Sequence, residues 1–440
     1  MDLEGRNALV VGLGVSGLAA ARLLASKGAR VSVTEFSDSE EVREKASGLE
    51  DLGIKCETGG HTRSFCSGAE LVVTSPGVDT RKGPVSSVLP AGSPVISELE
   101  LGSRFCRAPI IAITGTNGKS TTTELTGRIL SLSGRHAVVC GNIGNPLSAE
   151  VEKMTPESVA VVEVSSFQLE TTAGFRPYIA ALLNISEDHY DRHGTIEEYK
   201  AQKFRVFSGQ TADDWAVIHA DLYGEPMTKD IKSQLIFFGA EKDPWCHLDG
   251  EDCGDLVNMD ETPLRGKHNM NNMICSMLVS RIMGVEDRYI REGIITFKAL
   301  DHRFERVGDL RGIEFIDDSK ATNIDATRWA LESMNKKTVL IAGGRDKGGD
   351  YLSVLSLAKE KIKAMVLIGE ARERIKEAFA GSFPVLTAES MGEAVRRAYG
   401  IAREGEAVLL SPMCSSFDMF TGYKQRGEAF QREVRSLIEK

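Results

Sequence analysis

Residues 114–121 have the sequence TGTNGKST and come directly after the apolar residues 110–113. A helical pattern follows them. A strand, a glycine-rich turn and a helix in this order form a phosphate site, because successive backbone N–H groups of the turn can point at one anion. Lys119 would meet the terminal phosphates of a nucleotide, and the hydroxyl of Ser120 or Thr121 would reach a magnesium ion. The segment therefore predicts an ATP-binding loop.

This loop departs from the common pattern GxxxxGK[ST] at its first position. Ile113 stands where the pattern has glycine, so that the predicted loop is a shorter form that begins at Gly115 and ends at Lys119. An incidental glycine–lysine turn is the alternative interpretation. The strand before the loop and the helix after it favour nucleotide binding over that alternative.

Short apolar strands, glycine-rich turns and helices alternate along the chain. The first example is the strand Asn7–Val11, the sequence GLGVSG at residues 12–17 and a predicted helix at residues 18–27. Further strands are predicted at Arg30–Thr34, Leu71–Thr74, 339–342, 365–368 and 408–410. Such alternation produces parallel sheets that are covered on both faces, with sites at the carboxyl ends of the strands. We predict an α/β protein of three domains, each built on a mainly parallel sheet. The predicted domains are residues 1–107 (Rossmann-like), 108–304 (P-loop ATPase-like) and 305–440 (Rossmann-like).

Composition and charge exclude several classes of protein. Of the 440 residues, 42% are hydrophobic and 26% are charged, which is typical of a soluble globular protein. No apolar stretch approaches the roughly 18 residues of a membrane helix, and the N-terminus lacks the features of a signal peptide, so that we expect a cytoplasmic protein. The net charge of -10 argues against binding of nucleic acid. The eight cysteines form no CxxC pair and are expected to be reduced core residues.

Carboxylates follow two further strands of the middle domain. Glu163 ends an apolar strand, and the sequence SEDHYDRH at residues 186–193 brings acids and His189 to the end of another. Magnesium prefers oxygen ligands, so that a carboxylate in this position is a candidate metal ligand. Glu163 could equally be a structural acid that caps Ser165 or Ser166, and His189 could be an ordinary loop histidine. The residues alone leave these alternatives open.

The first glycine loop, at residues 12–17, fits either a dinucleotide or another diphosphate. Glu35, at the end of the second strand, is where an NAD-binding protein carries the acid that binds ribose. A nicotinamide-dependent oxidoreductase would leave residues 114–121 without a role. A nucleotide switch or binding module without chemistry is a second alternative, and it would rest on residues 114–121 alone.

Nine motifs, in order along the chain, resemble those of the Mur ligases, which add amino acids to a nucleotide-linked cell-wall precursor. They are GTNGKST, EVSSFQLE, NISEDHYDRHG, EEYKAQK, GKHNMNN, DHRFE, DDSKATN, GGRDKGGD and LLSPMCSSFD. The resemblance covers essentially the whole chain, and the GxGxSG start with DDSKATN and GGRDKGGD is most similar to the D-glutamate-adding members. It implies ATP-dependent ligation of D-glutamate to UDP-N-acetylmuramoyl-L-alanine through an acyl phosphate. It also implies two magnesium ions. We expect a monomer that binds neither nucleic acid nor membrane.

The resemblance implies roles for individual residues. Those implied for ATP are Gly115, Thr116, Asn117, Gly118, Lys119, Ser120, Thr121, Asn269, Asn272, His302, Arg303, Asp318 and Lys320. Those implied for the UDP-linked substrate are Gly14, Val15, Ser16, Glu35, Phe36, Asn142, Ser165 and Gln168. Those implied for D-glutamate are Thr322, Lys347, Ser416 and Tyr423. The implied magnesium ligands are Ser120, Glu163, His189 and Lys203 as a carbamate, and the implied catalytic residues are Lys119, His189 and Lys203.

Two of these roles differ from what the local pattern indicates. Lys203 in EEYKAQK has the pattern of a solvated helix face, whereas the resemblance implies a carbamylated lysine that bridges two metal ions. Tyr423 stands where the family often has phenylalanine, and an ordinary core residue on a helix face is the alternative. A sibling ligase for a different amino acid is the alternative within the family. The DNPR pattern expected of the sibling that adds a diamino acid is absent from the sequence.

Overall fold

The structure is a computed structural model of the chain that describes most of its 440 residues. The described residues are 1–239, 247–248, 251–252, 256–257, 261–264, 266–298 and 300–439. Two of the predicted core cysteines, Cys246 and Cys253, lie outside these ranges. The chain forms two compact units. The first unit draws on residues 1–184, 200–258 and 271–295, and the second on residues 185–199, 259–270 and 296–440.

The first unit contains two sheets, of which the N-terminal one has five parallel strands. The strands are β1 Asn7–Val11, β2 Arg30–Thr34, β3 Lys55–Glu57, β4 Leu71–Thr74 and β5 Val95–Ser97. The helices of this domain are α1 Val15–Ser26, α2 Glu40–Glu50, α3 Arg63–Cys66 and α4 Glu98–Phe105. The spatial order β3-β2-β1-β4-β5 reverses at β1. In sheets of this kind the ligand crevice lies at the carboxyl ends of the strands at the reversal.

Helix α1 begins at Val15, three residues earlier than predicted. Gly14 is its N-terminal cap, and Gly12 has a φ of 93°, in the left-handed region that favours glycine. Gly17 lies so close to the loop that a Cβ atom would be 1.8 Å from the carbonyl oxygen of Gly12. The glycines let the helix start almost at the end of β1, which a pattern of apolar residues does not indicate.

The second sheet of the first unit has six parallel strands. The strands are β6 Ile110–Thr114, β7 Ala137–Gly141, β8 Val159–Glu163, β9 Ile179–Leu182, β10 Trp215–His219 and β11 Gln234–Phe238. The helices in this part of the chain are α5 Lys119–Leu132, α6 Leu147–Glu150, α7 Ser166–Leu169, α8 Tyr190–His193, α9 Ile196–Phe204, α10 Lys267–Ile282 and α11 Asp287–Ile295. Helix α8 belongs to the second unit, and α9 and α10 have residues in both. The order β11-β10-β9-β6-β8-β7 reverses at β6, the strand that precedes the predicted ATP-binding loop.

The remaining strands form a short antiparallel pair and the sheet of the second unit. The pair is β12 His247–Leu248 with β13 Glu251–Asp252. The last six strands are β14 Glu305–Leu310, β15 Ile313–Asp317, β16 Thr338–Gly343, β17 Ile362–Ile368, β18 Val385–Thr387 and β19 Ala407–Leu410. Their order is β14-β15-β19-β16-β17-β18, and only β14 runs antiparallel to its neighbour. The helices are α12 Ile324–Ser333, α13 Leu355–Lys361, α14 Arg372–Ala378, α15 Met391–Ile401 and α16 Tyr423–Ile438.

Central strands are buried along their whole length. Every residue of β6, β8 and β16 is buried, and these strands are largely apolar runs without alternation. A parallel strand with helices on both faces must bury both sets of its side chains, which explains the pattern. The sheets confirm the predicted fold class of three α/β domains. The boundaries near residues 107 and 305 remain proposals. In the described part of the chain, no helix is both long and apolar enough to cross a membrane.

Gly17→Ala should destabilise the protein, because the added methyl group would collide with the Gly12 carbonyl oxygen. Overpacking of this kind typically costs about 1–3 kcal/mol. We expect a lower midpoint of urea-induced unfolding than in the wild type. Gly48→Ala in α2 is the matched control, because no atom lies within 4 Å of the Cβ position at Gly48. A midpoint for Gly17→Ala that equals that of the control would contradict the close packing.

Candidate active site

The predicted ATP-binding loop makes a tight turn between β6 and α5. Gly115 has a φ of 154° and Gly118 a φ of 85°, which L side chains rarely adopt. A Cβ atom on Gly118 would lie 2.2 Å from Oδ1 of Asn272, so that the loop can approach α10 only with glycine there. Lys119 is the first residue of α5. The turn therefore ends at a helix N-terminus, where backbone N–H groups attract phosphate oxygens.

Asn184, which the sequence did not single out, holds this loop in place. Its backbone oxygen accepts a hydrogen bond from Thr116 N at 3.0 Å, and its side chain exchanges two hydrogen bonds with the backbone of Asn117, at 2.9 and 3.0 Å. The Nζ atom of Lys119 donates to the carbonyl oxygens of Gly115 at 3.0 Å and Thr116 at 2.8 Å. The protein itself thus fixes the shape of the loop. Asn184 comes shortly after β9, and its place at a strand end was the available signal.

Lys203 is buried, so that the solvated helix face predicted from its local pattern is wrong. Its residue surface is 1% exposed, and its Nζ atom donates to the carbonyl oxygen of Gly115 at 2.7 Å. Helix α9 has the sequence IEEYKAQKF, in which too few apolar residues define a buried face. The hydrogen bond to Gly115 places this buried amine at the edge of the candidate phosphate site.

Glu163 ends β8 and pairs across the sheet with Ile113 of β6. It is buried, and its Oε1 atom accepts a hydrogen bond from Asn142 Nδ2 at 2.6 Å. Its Oε2 atom is buried without a hydrogen-bond partner among the described residues. A buried carboxylate oxygen without a donor suits a cation, and magnesium takes oxygen ligands. Ser165 is the N-cap residue of α7 and forms a reciprocal capping box with Gln168. Its partner is therefore Gln168 and not Glu163.

Five of the residues implied for the UDP-linked substrate line one cavity of about 540 Å³ in the N-terminal domain. They are Gly14, Val15, Ser16, Glu35 and Phe36. The volume lies within the range of small-molecule sites, about 300–1,000 Å³. The other three do not line this cavity. They are Asn142, Ser165 and Gln168, at the carboxyl ends of β7 and β8.

Glu35 fastens the first glycine loop to the end of β2. Its Oε2 atom accepts a hydrogen bond from Leu13 N at 2.7 Å, and its Oε1 atom accepts one from Ser37 N at 2.9 Å. In an NAD site the equivalent acid is directed at the ribose hydroxyls. In this structure the two oxygens bind backbone N–H groups, so that Glu35 has a structural role in the first glycine loop.

In the second unit, Lys347 forms an ion pair with Asp188, a residue that the sequence did not single out. The Lys347 Nζ atom lies 2.9 Å from Asp188 Oδ1, and Asn323 Nδ2 donates to the other carboxylate oxygen at 3.0 Å. Burial by itself would raise the pKa of Asp188, but the charges of Lys347 and His189 outweigh it and hold that pKa well below its usual range. His189 follows directly, with a φ of 56°. The cation implied for D-glutamate is therefore held by an internal carboxylate.

The other residues implied for D-glutamate lie in the same unit, two in loops and one at the start of a helix. Thr322 precedes Asn323, which caps α12, and the buried Ser416 follows β19. Tyr423 begins α16, and the Nζ atom of Lys320 lies 4.0 Å from the centre of its ring. This is a cation–π contact, which holds the ammonium group over the ring face. Tyr423 thus orients Lys320, a role that its sequence pattern did not indicate.

His302 and Arg303, two of the residues implied for ATP, lie in a loop of the second unit just before β14. His302 has a φ of 61°, and its Nδ1 atom lies 2.7 Å from Oδ2 of the buried Asp317. Its carbonyl oxygen accepts a hydrogen bond from Lys320 N at 3.1 Å. The loop of His302 is therefore tied to the DDSKATN segment. Asn269 belongs to this unit, whereas Asn272 belongs to the first.

Asp318 follows β15 and is held by two donors. Its Oδ1 atom accepts a hydrogen bond from Phe304 N at 3.2 Å, and its Oδ2 atom accepts one from Ser411 Oγ at 3.0 Å. Loss of surrounding water raises the pKa of Asp318 to about 7, although these hydrogen bonds and the charge of Arg303 act in the opposite direction. The carboxyl group therefore changes its charge near neutral pH.

Family models match most of the chain. Residues 6–97 match the MurD-like N-terminal domain of Mur ligases, residues 113–280 the Mur ligase middle domain, and residues 302–414 the Mur ligase glutamate ligase domain. Two full-length relatives carry the name UDP-N-acetylmuramoylalanine–D-glutamate ligase. The one from Desulfosudis oleivorans is 42% identical over 100% of this chain and 98% of its own. The one from Acidobacterium capsulatum is 40% identical over 98% of this chain and 96% of its own.

Solved structures of related ligases have the same fold. MurF from Acinetobacter baumannii has a TM-score of 0.63 at 17% identity, over 93% of this chain and 91% of its own. The UDP-N-acetylmuramate–alanine ligase MurC from Thermotoga maritima has a TM-score of 0.60 at 18% identity, over 98% of this chain and 99% of its own. A MurF ligase from Thermotoga maritima, solved with ADP, has a TM-score of 0.60 at 15% identity, over 92% and 95%. At these identities the likeness concerns the fold.

Asp318→Asn should gain stability relative to the wild type as the pH rises from about 4 to 7. In that interval an unfolded aspartate, with a pKa of about 3.9, is charged, whereas the folded Asp318 still binds its proton. The wild type therefore loses stability as the pH rises, and the variant lacks this loss. Thermal unfolding at pH 5, 6 and 7 measures the difference, with the exposed Asp301→Asn as the control. A constant difference between Asp318→Asn and the wild type over this range would contradict the raised pKa.

Proposed function

The chain belongs to the Mur ligase family, and from this premise we propose that it joins D-glutamate to UDP-N-acetylmuramoyl-L-alanine at the expense of ATP. One observation carries the proposal. The phosphate loop at residues 115–121, with Glu163 and Lys203 at its edge, occurs in a chain that is 42% identical over its full length to a ligase with this activity in its name. The reaction is a step in the synthesis of the peptidoglycan precursor.

The cavity of the N-terminal domain would hold the UDP end of the substrate. A pyrophosphate suits the N-terminus of α1 and the amides of the first glycine loop, where Gly14, Val15 and Ser16 line the cavity. Glu35 and Phe36 form another part of the wall, next to the expected position of the base. Beyond the cavity, the substrate would extend toward the group of side chains at the ends of β7 and β8. That group consists of Asn142, Ser165 and Gln168.

The phosphate loop would hold ATP, with Lys119 on the terminal phosphates. Ser120 and Glu163 suit a magnesium ion, because both offer oxygen atoms and Oε2 of Glu163 has no hydrogen-bond partner among the described residues. When bound, magnesium neutralises the charge that develops on the transferred phosphoryl group. The remaining implied contacts to the nucleotide are with Asn269, Asn272, His302, Arg303, Asp318 and Lys320.

We also assign a second magnesium site to His189 and to Lys203 in its carbamylated form. A carbamate converts the cationic amine of Lys203 into an anion with two oxygen atoms, which is the ligand type that magnesium prefers. The burial of Lys203 beside the loop supports this assignment, because a buried amine without such a modification places positive charge where a metal ion is needed.

D-glutamate would bind to the second unit through its carboxylates. Lys347 supplies a cation, and Thr322 and Ser416 supply hydroxyl donors. Tyr423 orients Lys320 through the cation–π contact. A dicarboxylate needs this combination of positive charge and hydrogen-bond donors.

The chemistry proceeds in two steps. A carboxylate oxygen of the L-alanine residue attacks the γ-phosphorus atom of ATP, the bond to the bridging oxygen breaks, and ADP leaves. The product is an acyl phosphate, whose carbonyl carbon now carries a good leaving group. The amine of D-glutamate then attacks that carbon, and the tetrahedral intermediate collapses to the amide, inorganic phosphate and a proton. The task of the protein is to position the reactants and to balance their charge, with Lys119 at the phosphates.

We place the enzyme in the cytoplasm, where ATP and UDP-linked precursors are available. We assign it a monomeric state and domain boundaries at residues 107/108 and 304/305. Gel filtration and limited proteolysis test the last two assignments.

Phosphate release should depend on D-glutamate. The purified protein is incubated with ATP, magnesium and UDP-N-acetylmuramoyl-L-alanine, and D-glutamate, L-glutamate, L-lysine and meso-diaminopimelate are offered separately. We expect release with D-glutamate alone, and a decrease on the order of 100-fold or more for Lys119→Ala, which removes a fixed charge from the transferred phosphate. Release with a different amino acid would retain the ligase and reassign the pocket around Lys347. No release with any of them would refute the proposal.

Lys203→Ala should be inactive and should regain part of its activity with added acetate or another short carboxylate. The small anion would replace the carbamate oxygens in the space that the side chain vacates. Lys200→Ala is the matched control. Lys200 lies on the same helix, and its Nζ atom forms an ion pair with Oε1 of Glu225 at 2.6 Å. Without rescue, or with equal effects of the two substitutions, Lys203 would be an ordinary structural lysine.

A further inference from the structure

Lys347 lies in a short loop after β16 whose backbone is held from outside by a single side chain. Arg374, on α14, donates from Nη1 to both carboxylate oxygens of Asp346, at 2.8 and 2.6 Å. Its Nη2 atom donates to the carbonyl oxygens of Gly349 at 2.8 Å and Gly348 at 3.4 Å. The guanidinium group therefore binds the residue before Lys347 and the two residues after it.

Asp346 is the centre of this arrangement. Besides Arg374, its Oδ1 atom accepts hydrogen bonds from Gly348 N at 2.9 Å and from the hydroxyl group of Tyr351 at 3.1 Å. The turn that results needs Gly348, whose φ is 82°. Backbone and side-chain donors thus converge on the carboxylate of Asp346, and Lys347 lies in the turn that these hydrogen bonds hold.

The same loop is tied to the segment that carries Ser416. The backbone of Arg345 donates to the carbonyl oxygen of Ser415 at 2.9 Å, and the Tyr351 hydroxyl lies 3.2 Å from the Sγ atom of Cys414. Movement of the loop would therefore displace a hydroxyl donor as well as a cation. A guanidinium group is suited to holding such a loop, because its two terminal nitrogen atoms are fixed in one plane. Nη1 can therefore bind the Asp346 carboxylate while Nη2 binds backbone carbonyl oxygens.

We propose that Arg374 is a positioning residue for Lys347 and acts through Asp346, so that it determines how well the enzyme binds D-glutamate. The inference rests on the proposed function, because it takes Lys347 as the cation for the amino-acid substrate. Arg374 fixes the backbone from which Lys347 reaches its partner, which is Asp188 at 2.9 Å in this structure.

Steady-state kinetics of Arg374→Gln test the proposal. We expect the KM for D-glutamate to rise by about tenfold or more, because a displaced cation loses a charge-assisted contact. The KM values for ATP and for UDP-N-acetylmuramoyl-L-alanine should stay within about twofold of the wild type. Arg372→Gln is the matched control, since Arg372 lies on the same helix and pairs with the exposed Glu389 at 2.7 Å. The Arg372→Gln variant loses the same charge, and none of its three KM values should change.

Three further variants separate positioning from general destabilisation. Asp346→Asn should raise the KM for D-glutamate as Arg374→Gln does. The double variant should raise it by less than the product of the two single effects, because both substitutions break the contact between Arg374 and Asp346. Arg374→Lys keeps the charge without the fork and should restore only part of the affinity. A KM for D-glutamate in Arg374→Gln equal to that in Arg372→Gln would overturn the proposal. So would a parallel rise of all three KM values.

A measurement without catalysis distinguishes failure of this inference from failure of the proposed function. If the wild type releases no phosphate with D-glutamate, the proposed function fails. Amide hydrogen exchange still tests whether Arg374 holds the loop of Lys347, because the backbone N–H of Gly348 is bonded to Asp346. Faster exchange at Gly348 in Arg374→Gln, but not in Arg372→Gln, supports the positioning role of Arg374. Equal exchange in the two variants contradicts it.

Discussion

Gly118 lies against Asn272 in a space that no Cβ atom could share, and the arrangement around the phosphate loop depends on this close approach. Because the backbone turns in the left-handed region at Gly118, helix α5 can begin at the next residue. The same turn directs the carbonyl oxygen of Gly115 toward two amines, those of Lys119 and Lys203. Two glycines thus determine where the positive charge of the site is held.

Much of this architecture follows from patterns that the sequence displays. Strands such as β6 and β16 are recognisable because a strand that is buried on both faces is apolar throughout. The phosphate loop is recognisable because its glycines and its lysine are needed together. Nine ordered motifs were sufficient to indicate the family, and the family models match most of the chain. Roles of individual residues rest on the resemblance, and they stay predictions until the variants are measured.

The sequence did not indicate the contacts between segments that lie far apart in the chain. Lys203 looks solvated in a helix with few apolar residues, yet it is buried and donates a hydrogen bond to Gly115, 88 residues away in the chain. Asn184 stabilises the loop from a position 67 residues away in the chain. The pairing of Lys347 with Asp188 spans 159 residues. A local sequence pattern does not indicate such pairs, because the two side chains belong to segments that lie far apart in the chain.

The ion pair between Lys347 and Asp188 has a consequence for selectivity. A carboxylate that approaches Lys347 meets an ammonium group whose charge is already balanced, so that binding is an exchange of one anion for another. The affinity then depends on the difference in free energy between two ion pairs. The stronger the internal pair is, the more contacts a ligand must make with other residues. A molecule with a single carboxylate gains little from such an exchange. A molecule that brings a second anionic group and an ammonium group of its own can satisfy both Lys347 and the displaced Asp188.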